Sequence, residues 1–450
     1  MKKNVCAIFD IGKTNKKIFL FDDNYKIVWE KSQTFDEILD EDGSPCEDLE
    51  SLTQWVLSSF NEVVKLQEFE IVAVNFSAYG ASFVHIDENN EPLTPLYNYL
   101  KPYPELLQKL FYSAYGGEDE FSRITASPIL GSLNSGMQLY RLKYEKPHIF
   151  EKIKYSLHLP QYLSFLITGQ FFTDFTSVGC HTNLWDFIKM KYHRWTTDEM
   201  IEHKFAPFHY AEYPIKIDSG LSVGIGLHDS SSAIIPYLLC YEEPFVLLST
   251  GTWSISINPF NSTPLTTDEL QNDCLCFLNY RENPIKASRL FAGYEHEIQI
   301  KRLAEHFNVP QNTYQNVHFN EEIIEKIKLE IKTENDGLPL NLKDIKFKKR
   351  DLSKFKNYEE AYHQLIFDII TLQIPSTQLV IQNSPVKKIF VDGGFSNNPI
   401  FMNLLSNYFT DLEVYAASIP QASALGAAVV IHPYWNQNPI PQKLITLKRY

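Results

Sequence analysis

One structural unit occurs twice in this chain: a strand, a short polar turn and a second strand. The first copy covers residues 4–22 with its turn at 10–15, and the second covers residues 245–257 with its turn at 250–252. Apolar runs on both sides of a Gly-containing turn are typical of a β-hairpin. Because the unit recurs in both halves of the chain, it indicates two related domains.

The chain length supports this division. At 450 residues it exceeds the size at which a single hydrophobic core usually stops growing. We therefore predict a first domain of residues 1–222 and a second domain of residues 223–450, with a cleft between them. Strand-like runs at 388–391 and 413–415 are each followed by a helical pattern, which predicts α/β layers with ligand-binding potential at the strand ends.

Charge and composition favour a small-molecule substrate. The formal net charge is −14, whereas nucleic-acid binders rely on clustered Lys and Arg, so we expect no nucleic-acid partner. Asp10 cuts the N-terminal apolar run too short for a signal peptide, and we expect no segment of transmembrane length. The six cysteines are scattered rather than arranged as a disulfide framework. We predict a cytoplasmic protein with reduced thiols and no membrane partner.

The first turn has chemistry that suits phosphate or hydrated Mg²⁺. It combines a carboxylate, a flexible backbone, hydrogen-bonding side chains and positive charge. It is not a P-loop, because the chain contains no Gly-x4-Gly-Lys-Ser/Thr string. An ordinary hairpin loop uses the same residue types, so both interpretations stay open. The candidate residues of this turn are Asp10, Gly12, Thr14, Asn15 and Lys17.

Two later turns could contact a phosphate group or a nucleoside. The turn at 250–252 places Thr hydroxyls and backbone N–H groups between two strands. Near residue 393, a double glycine separates a strand from a helix start, so a flat ligand can approach the backbone closely. A plain hairpin and a plain strand-to-helix turn are the alternatives. The candidate residues of these two turns are Thr250, Gly251, Thr252, Gly393, Gly394 and Asn398.

Asp229 is the candidate general base. It follows the strand-like segment that ends at Gly224 and Gly226, and it precedes the helical pattern near 233–235. In phosphoryl transfer, a carboxylate near the attacking hydroxyl can accept its proton. The same position in the sequence suits a helix N-cap, and one residue can serve in both roles. We interpret His228 as a structural histidine rather than a second catalyst.

In this order and over nearly the full chain, these elements resemble the FGGY carbohydrate kinase family. The resemblance implies an α/β, two-domain actin-like ATPase (ribonuclease H-like) fold with an interdomain cleft. It also implies ATP and Mg²⁺ as cofactors, with residues 1–222 as the sugar-binding and phosphate-loop domain and residues 223–450 as the nucleotide-binding domain. The implied roles are Mg²⁺ organisation through water for Asp10, phosphate proximity for Thr14 and Asn15, γ-phosphate binding for Thr250 and Gly251, adenosine contacts for Gly394 and Asn398, and catalytic base for Asp229.

Motifs at 228–229 and 249–254 look most similar to those of rhamnulokinases and fuculokinases, which phosphorylate 6-deoxyketohexoses. The resemblance therefore favours a ketose such as L-rhamnulose or L-fuculose. On the sugar side the chain departs from that pattern, because Ser77 and Ser82 lie where the relatives have acidic residues and residues 99–102 replace an Arg-Asp-Ser-Arg string. In the first turn, Lys13 occupies a position where the relatives usually have a small residue, which would alter phosphate affinity. The candidate substrate-binding residues are Ser77, Tyr79, Gly80, Asn134, His228 and Asp229.

We thus predict an ATP-dependent carbohydrate kinase whose partners are ATP and a small sugar. A homodimer is compatible with this prediction. The alternative is a catalytically weak, nucleotide-dependent sugar sensor or scaffold on the same fold, which the altered sugar-side residues would permit. A chaperone-like or cytoskeleton-like ATPase is a third hypothesis, and the Gly-Leu-His-Asp string gives it no support.

Overall fold

The computed structural model describes residues 2–333, 345–441 and 444–450. In this part of the chain the strands are β1 (Lys3–Ile11), β2 (Lys16–Phe21), β3 (Ile27–Gln33), β4 (Ile38–Leu39), β5 (Pro45–Cys46), β6 (Phe69–Ala78), β7 (Phe83–Ile86), β8 (Tyr155–His158), β9 (Trp185–Asp186), β10 (Lys191–Tyr192), β11 (Ile215–Lys216), β12 (Ser222–Val223), β13 (Leu227–His228), β14 (Phe245–Thr250), β15 (Ser254–Asn258), β16 (Cys274–Leu278), β17 (Pro284–Leu290), β18 (Lys388–Gly393), β19 (Glu413–Ser418) and β20 (Thr446–Arg449).

The α-helices of the same residues are α1 (Leu49–Val64), α2 (Glu105–Ala114), α3 (Glu118–Ile124), α4 (Ser135–Glu145), α5 (Pro147–Phe150), α6 (Leu159–Thr168), α7 (Phe175–Val178), α8 (Arg194–Asp198), α9 (Asp229–Ala233), α10 (Ile235–Cys240), α11 (Thr267–Gln271), α12 (Ala292–Phe307), α13 (Glu321–Thr333), α14 (Tyr358–Ile381), α15 (Pro399–Tyr408) and α16 (Ala422–Val430).

The first lobe is built on a mixed sheet with the strand order β11-β12-β6-β1-β2-β3, and β13 also pairs with β6. Strands β1 and β2 form the predicted antiparallel hairpin, in which Ile11 pairs with Lys16. Strands β1, β12 and β13 all run parallel to β6. Since β12 and β13 belong to this sheet, the first lobe extends past residue 222, and the domain boundary stays a prediction.

The second lobe is built on a sheet with the order β16-β17-β15-β14-β18-β19-β20. Strands β14 and β15 form the second predicted hairpin, and Thr250 pairs with Ser254 beside its turn. Strand β18 lies parallel to β14, so Thr250 is also paired with Gly393. The predicted strand and helix alternation is present as β18, α15, β19 and α16.

Helix α16 follows β19 of the second sheet in sequence, and it packs against β1 and β6 of the first sheet and against α9. It therefore connects the two lobes. The buried side chain of Asn75 on β6 donates a 2.8 Å hydrogen bond to the carbonyl oxygen of Ala427. A Cβ atom on Gly426 would lie 1.9 Å from the carbonyl oxygen of Ser232. The absence of a side chain at Gly426 is therefore what allows α16 and α9 to approach so closely.

Helix α14 contradicts the expectation that no segment has transmembrane length. It is 24 residues long and has a mean hydropathy of 1.3 over an 18-residue window, so by length and apolarity alone it could cross a membrane. It nevertheless carries buried Asp368, Gln373 and Thr377, and the Gln373 side chain accepts a 2.6 Å hydrogen bond from Ser254 in the adjoining sheet. Such polar groups would be costly in lipid, so we interpret α14 as a core helix of the second lobe.

We expect Gly426→Ala to lower the free energy of unfolding by about 2–3 kcal/mol, because the new methyl group overlaps the Ser232 carbonyl and forces α16 away from α9. Thermal or urea unfolding measures the change. Gly220→Ala is the control, since its Cβ would meet no atom within 4 Å and only its φ of +86° is unfavourable. Equal losses in the two variants would contradict a packing role for Gly426.

Candidate functional site

Three neighbouring strands of the first sheet end at one edge and bring the predicted polar residues together. Asp10 on β1 is paired with Ser77 on β6, and Leu227 on β13 is paired with the same Ser77. Because β1 and β13 both run parallel to β6, their carboxyl ends lie side by side. His228 ends β13 and Asp229 follows it, so both lie beside Asp10 and Ser77, although 219 residues separate Asp10 from Asp229 in sequence.

Asp229 is the first residue of α9, and His228 occupies the N-cap position. The alternative that Asp229 caps this helix is therefore wrong. Its carboxylate accepts a 2.5 Å hydrogen bond from the backbone N–H of Ser230, and 35% of its side chain stays exposed. Surrounding protein raises the pKa of Asp229 to about 6, because burial disfavours its charged form.

The Asp10 carboxylate accepts a 3.0 Å hydrogen bond from the Ser423 hydroxyl of α16. Burial and the negative charge of Asp229 raise the pKa of Asp10 to about 6. Two carboxylates that disfavour each other's charge are a suitable environment for a cation. Among the described residues, no group of three or more His, Cys, Asp or Glu side chains is arranged to hold a metal ion by itself. This donor set fits Mg²⁺, which proteins commonly hold with one or two carboxylates, water and substrate phosphates.

The His228 side chain is buried beside Asp229. Its Nε2 lies 3.0 Å from Cys180 Sγ and 3.2 Å from Asp229 Oδ1, and its Nδ1 lies 3.2 Å from the Ser231 hydroxyl. Burial lowers its pKa to about 3, so the ring is neutral at physiological pH. A Cβ atom on Gly80 would lie 3.0 Å from this ring, which explains why glycine suits the turn after β6.

The first predicted turn is tight and open to solvent at its tip. The backbone N–H of Gly12 donates a 2.9 Å hydrogen bond to the carbonyl oxygen of Asn15, and both Thr14 and Asn15 are exposed. Lys17 extends toward α16, where its Nζ lies 3.5 Å from the side-chain oxygen of Gln421. Lys13 is instead engaged by carboxylates, at 2.8 Å from Glu37 and 3.2 Å from Glu47.

In the second lobe, the Thr250 hydroxyl connects the two remaining turns. It donates a hydrogen bond of 2.5 Å to the carbonyl oxygen of Asp392 and accepts one of 3.0 Å from the N–H of Phe395. Gly393 has a φ of +85°, and a Cβ there would lie 1.9 Å from the Thr250 carbonyl oxygen. Gly251 and Thr252 are exposed at the tip of their hairpin.

A cavity of about 530 Å³ opens beside these turns. Four predicted residues line it, namely Thr250, Gly251, Gly394 and Asn398. The Asn398 side chain caps α15 by accepting hydrogen bonds from two backbone N–H groups, and it donates another to the Tyr362 hydroxyl. The structure thus gives Asn398 a capping role at the wall of the cavity.

Four further residues that the sequence did not predict also line this cavity, namely Gly293, His296, Tyr314 and Gln315. His296 lies on α12 with its ring nitrogen 3.0 Å from the Tyr362 hydroxyl, and burial lowers its pKa to about 4. The glycine at the start of α12, three residues after strand β17, was the one available signal. The other three side chains have helical or loop spacing that does not distinguish a cavity wall from an ordinary core.

Asn134 lies apart from these open surfaces. Its side chain is fully buried, its amide oxygen accepts a 2.7 Å hydrogen bond from the N–H of Leu130, and its amide nitrogen donates to Ser127 and to the His181 carbonyl. Both polar atoms of Asn134 thus hold the preceding loop in place. Ser77 and Tyr79, by contrast, lie with Gly80 at the edge where Asp229 is found.

Comparison with known proteins gives a consistent match along the chain. Residues 5–202 match the N-terminal domain of the FGGY family of carbohydrate kinases, and residues 242–439 match the C-terminal domain of carbohydrate kinase FGGY. The rhamnulokinase of Oceanobacillus iheyensis is 22% identical over 94% of this chain and 91% of its own length. The rhamnulokinase of Halalkalibacterium halodurans is 24% identical over 58% of this chain and 57% of its own length.

Solved structures match over nearly the full length. A carbohydrate kinase from Novosphingobium aromaticivorans is 20% identical and has a TM-score of 0.80, with coverage of 100% of this chain and 94% of that one. A ligand-bound xylulose kinase from Lactobacillus acidophilus is 16% identical and has a TM-score of 0.77, with coverage of 99% and 93%. At these identities the likeness concerns the fold.

We expect Asp229→Asn to raise the melting temperature at pH 7.5. An aspartate whose folded-state pKa is about 6, above the ordinary value of 3.8, destabilises the fold when it is charged. This cost is fully present above pH 6 and is lost as the pH falls below 3.8, where the carboxyl is protonated in both states. The gain from Asn should therefore shrink over that window in thermal unfolding.

The matched control for this measurement is Asp218→Asn, because Asp218 lies on an exposed turn of the first lobe. Its melting temperature should follow that of the wild type at each pH. If Asp229→Asn is less stable than the wild type at pH 7.5, the carboxylate is held by stabilising partners and the argument from burial is wrong.

Proposed function

The chain belongs to the FGGY family of carbohydrate kinases, and from this we propose that it transfers the γ-phosphate of ATP to a hydroxyl group of a small sugar, with Asp229 as the general base. The predicted family and the predicted α/β, two-domain actin-like fold are confirmed. The observation that supports the proposed base is a half-buried carboxylate with a raised pKa at the edge where three parallel strands end.

In the proposed reaction, a sugar hydroxyl donates its proton to the Asp229 carboxylate. The hydroxyl oxygen forms a bond to the γ-phosphorus of ATP, the bond from that phosphorus to the bridging oxygen breaks, and ADP leaves with the electron pair. A base with a pKa of about 6 is charged at neutral pH and yet accepts a proton more readily than an ordinary aspartate. The partial exposure of Asp229 leaves room for the sugar.

Asp10 would organise Mg²⁺ through water, and the ion would offset the negative charge of the phosphates. Lys17 and the exposed turn tip at Thr14 and Asn15 would lie near those phosphates. In the second lobe, the exposed Gly251 and Thr252 would contact the terminal phosphate. Thr250 would act indirectly, because its hydroxyl already holds the neighbouring Asp392 to Phe395 turn in place.

The cavity of about 530 Å³ in the second lobe is the proposed adenosine site. Its volume lies within the range of small-molecule sites. Gly393 and Gly394 would let the nucleoside approach the backbone, while Asn398 fixes the start of α15 beside it. His296, a neutral ring at this wall, would supply a hydrogen-bonding or stacking surface.

On the sugar side, Ser77, Tyr79, Gly80 and His228 would line the pocket around Asp229. Asn134 would position the loop that precedes α4 rather than bind the sugar itself. The resemblance to rhamnulokinases supports a ketose such as L-rhamnulose or L-fuculose as the acceptor. Cytoplasmic location, a homodimer and the domain boundary near residue 222 stay predictions.

Asp229→Asn should reduce sugar-stimulated ADP release by more than about a hundredfold, because the amide keeps the shape of the side chain but cannot accept the proton. ATP binding, measured by calorimetry, should stay close to that of the wild type. A panel of ketoses, pentuloses and polyols supplies the acceptor, and Asp218→Asn is again the control. Tight sugar and ATP binding without any turnover in the wild type would favour the sensor hypothesis instead.

The value of kcat/KM for the sugar should rise with pH through an apparent pKa of about 6, because the base must be deprotonated to accept a proton. Asp10 titrates in the same range, so the apparent value belongs to the coupled pair. Steady-state rates between pH 5 and 8 measure this limb. A rate that does not change below pH 6 would rule out Asp229 and Asp10 as groups that must be charged.

A further inference from the structure

Tyr99 lies at the edge of the proposed sugar pocket and is held there from two sides. Its ring contacts the ring of Tyr79 edge-on, with centroids 6.0 Å apart and planes at 63°. The Lys13 ammonium lies 6.0 Å from the centroid of the Tyr99 ring. Tyr79 belongs to the turn after β6, and Lys13 belongs to the first polar turn, so Tyr99 connects the two loops that surround the pocket.

The Tyr99 phenol lies in surroundings that disfavour its ionised form. Burial, Asp229, Glu47 and Glu37 raise the pKa of Tyr99, while Lys13 acts in the opposite direction. The phenol therefore stays protonated and remains a hydrogen-bond donor. Across the described chain, no side chain or backbone group is hydrogen-bonded to this hydroxyl. A half-buried donor with no protein partner, on a ring that packs against Tyr79 at the proposed sugar pocket, is available to a ligand.

The charges around Tyr99 are already paired. Lys13 contacts Glu37 at 2.8 Å and Glu47 at 3.2 Å, and the buried Lys16 contacts Glu47 at 2.9 Å. Two carboxylates, Glu37 and Glu47, are thus paired with two ammonium groups, Lys13 and Lys16. A sugar acid would add a further negative charge where each of these lysines is already paired with a carboxylate, which is unfavourable.

We propose that Tyr99 is a specificity-determining residue of the sugar site and that the paired charges beside it favour a neutral sugar over a sugar acid. The proposal rests on the kinase function proposed above. The aromatic face of Tyr99 covers an apolar C–H face of the sugar, and its hydroxyl donates a hydrogen bond to a sugar hydroxyl. Lys13 acts as a positioning residue, since its ion pairs with Glu37 and Glu47 keep it against the ring.

Two substitutions at Tyr99 separate these contributions. Tyr99→Phe keeps the ring and removes the donor, so kcat/KM for the preferred neutral sugar should fall by roughly tenfold while the KM for ATP stays unchanged. Tyr99→Ala also removes the apolar wall, so it should lower kcat/KM further and reduce the discrimination among ketoses, pentuloses and polyols. The matched control is Tyr408→Phe, which removes a hydroxyl from an exposed tyrosine of the second lobe and should leave every rate unchanged.

Selection against a sugar acid is tested with gluconate as the acidic probe and a neutral ketose or polyol as the reference. The wild type should use gluconate less efficiently than the neutral acceptors. Glu37→Gln removes one carboxylate from Lys13, so it should raise the ratio of gluconate to neutral turnover. A wild type that prefers gluconate, or a ratio unchanged in Glu37→Gln, would overturn the selection for a neutral sugar.

The outcomes also distinguish this inference from the function on which it rests. Sugar-stimulated turnover that requires Asp229, with the same kcat/KM values and the same order of sugars in Tyr99→Phe and Tyr99→Ala as in the wild type, overturns the role of Tyr99 alone. No turnover of any acceptor by the wild type overturns both. A loss confined to the KM for ATP would place Tyr99 at the nucleotide and would also contradict the inference.

Discussion

The parallel pairing of β6 with its neighbours is the constraint on which the site depends. Because Ser77 is paired with both Asp10 and Leu227, the residues that follow each strand meet at one edge of the sheet. Asp229 lies at the start of α9 immediately after that edge, and the close contact of α9 with Gly426 on α16 holds it there. A shift of register by one residue would turn these side chains to the opposite face.

In the second lobe, too, the turns that follow two parallel strands are brought together. Strands β14 and β18 are also parallel and pair Thr250 with Gly393, but here a side chain joins the turns that follow them. The Thr250 hydroxyl is hydrogen-bonded to backbone groups on both sides of the double glycine. Because Thr250 is buried and makes both hydrogen bonds, it fixes the backbone that shapes the neighbouring cavity.

The buried ionisable groups of the site lower the stability of the folded protein. Asp10 and Asp229 have raised pKa values because protein surrounds carboxylates that lie close together, and His228 is held neutral by burial beside them. None of these environments favours the charged state of its group. Strain of this kind persists because the two sheets and α16 fix the surrounding backbone, and it is typical of residues that handle protons.

The sequence by itself determined the two hairpins, the strand and helix alternation of the second lobe, the family and Asp229 as the candidate base, because turn residues, apolar periodicity and motif order are local properties. The sequence did not predict that the long apolar segment at α14 is a buried core helix, and it did not predict that His228 occupies the N-cap position of α9. Only the tertiary structure decided that Asn134 is fully engaged in a loop, that His296 lines a cavity and that Tyr99 lies near Asp229. Those facts depend on contacts between residues far apart in the chain, and spacing along one sequence carries no information about which distant side chains meet.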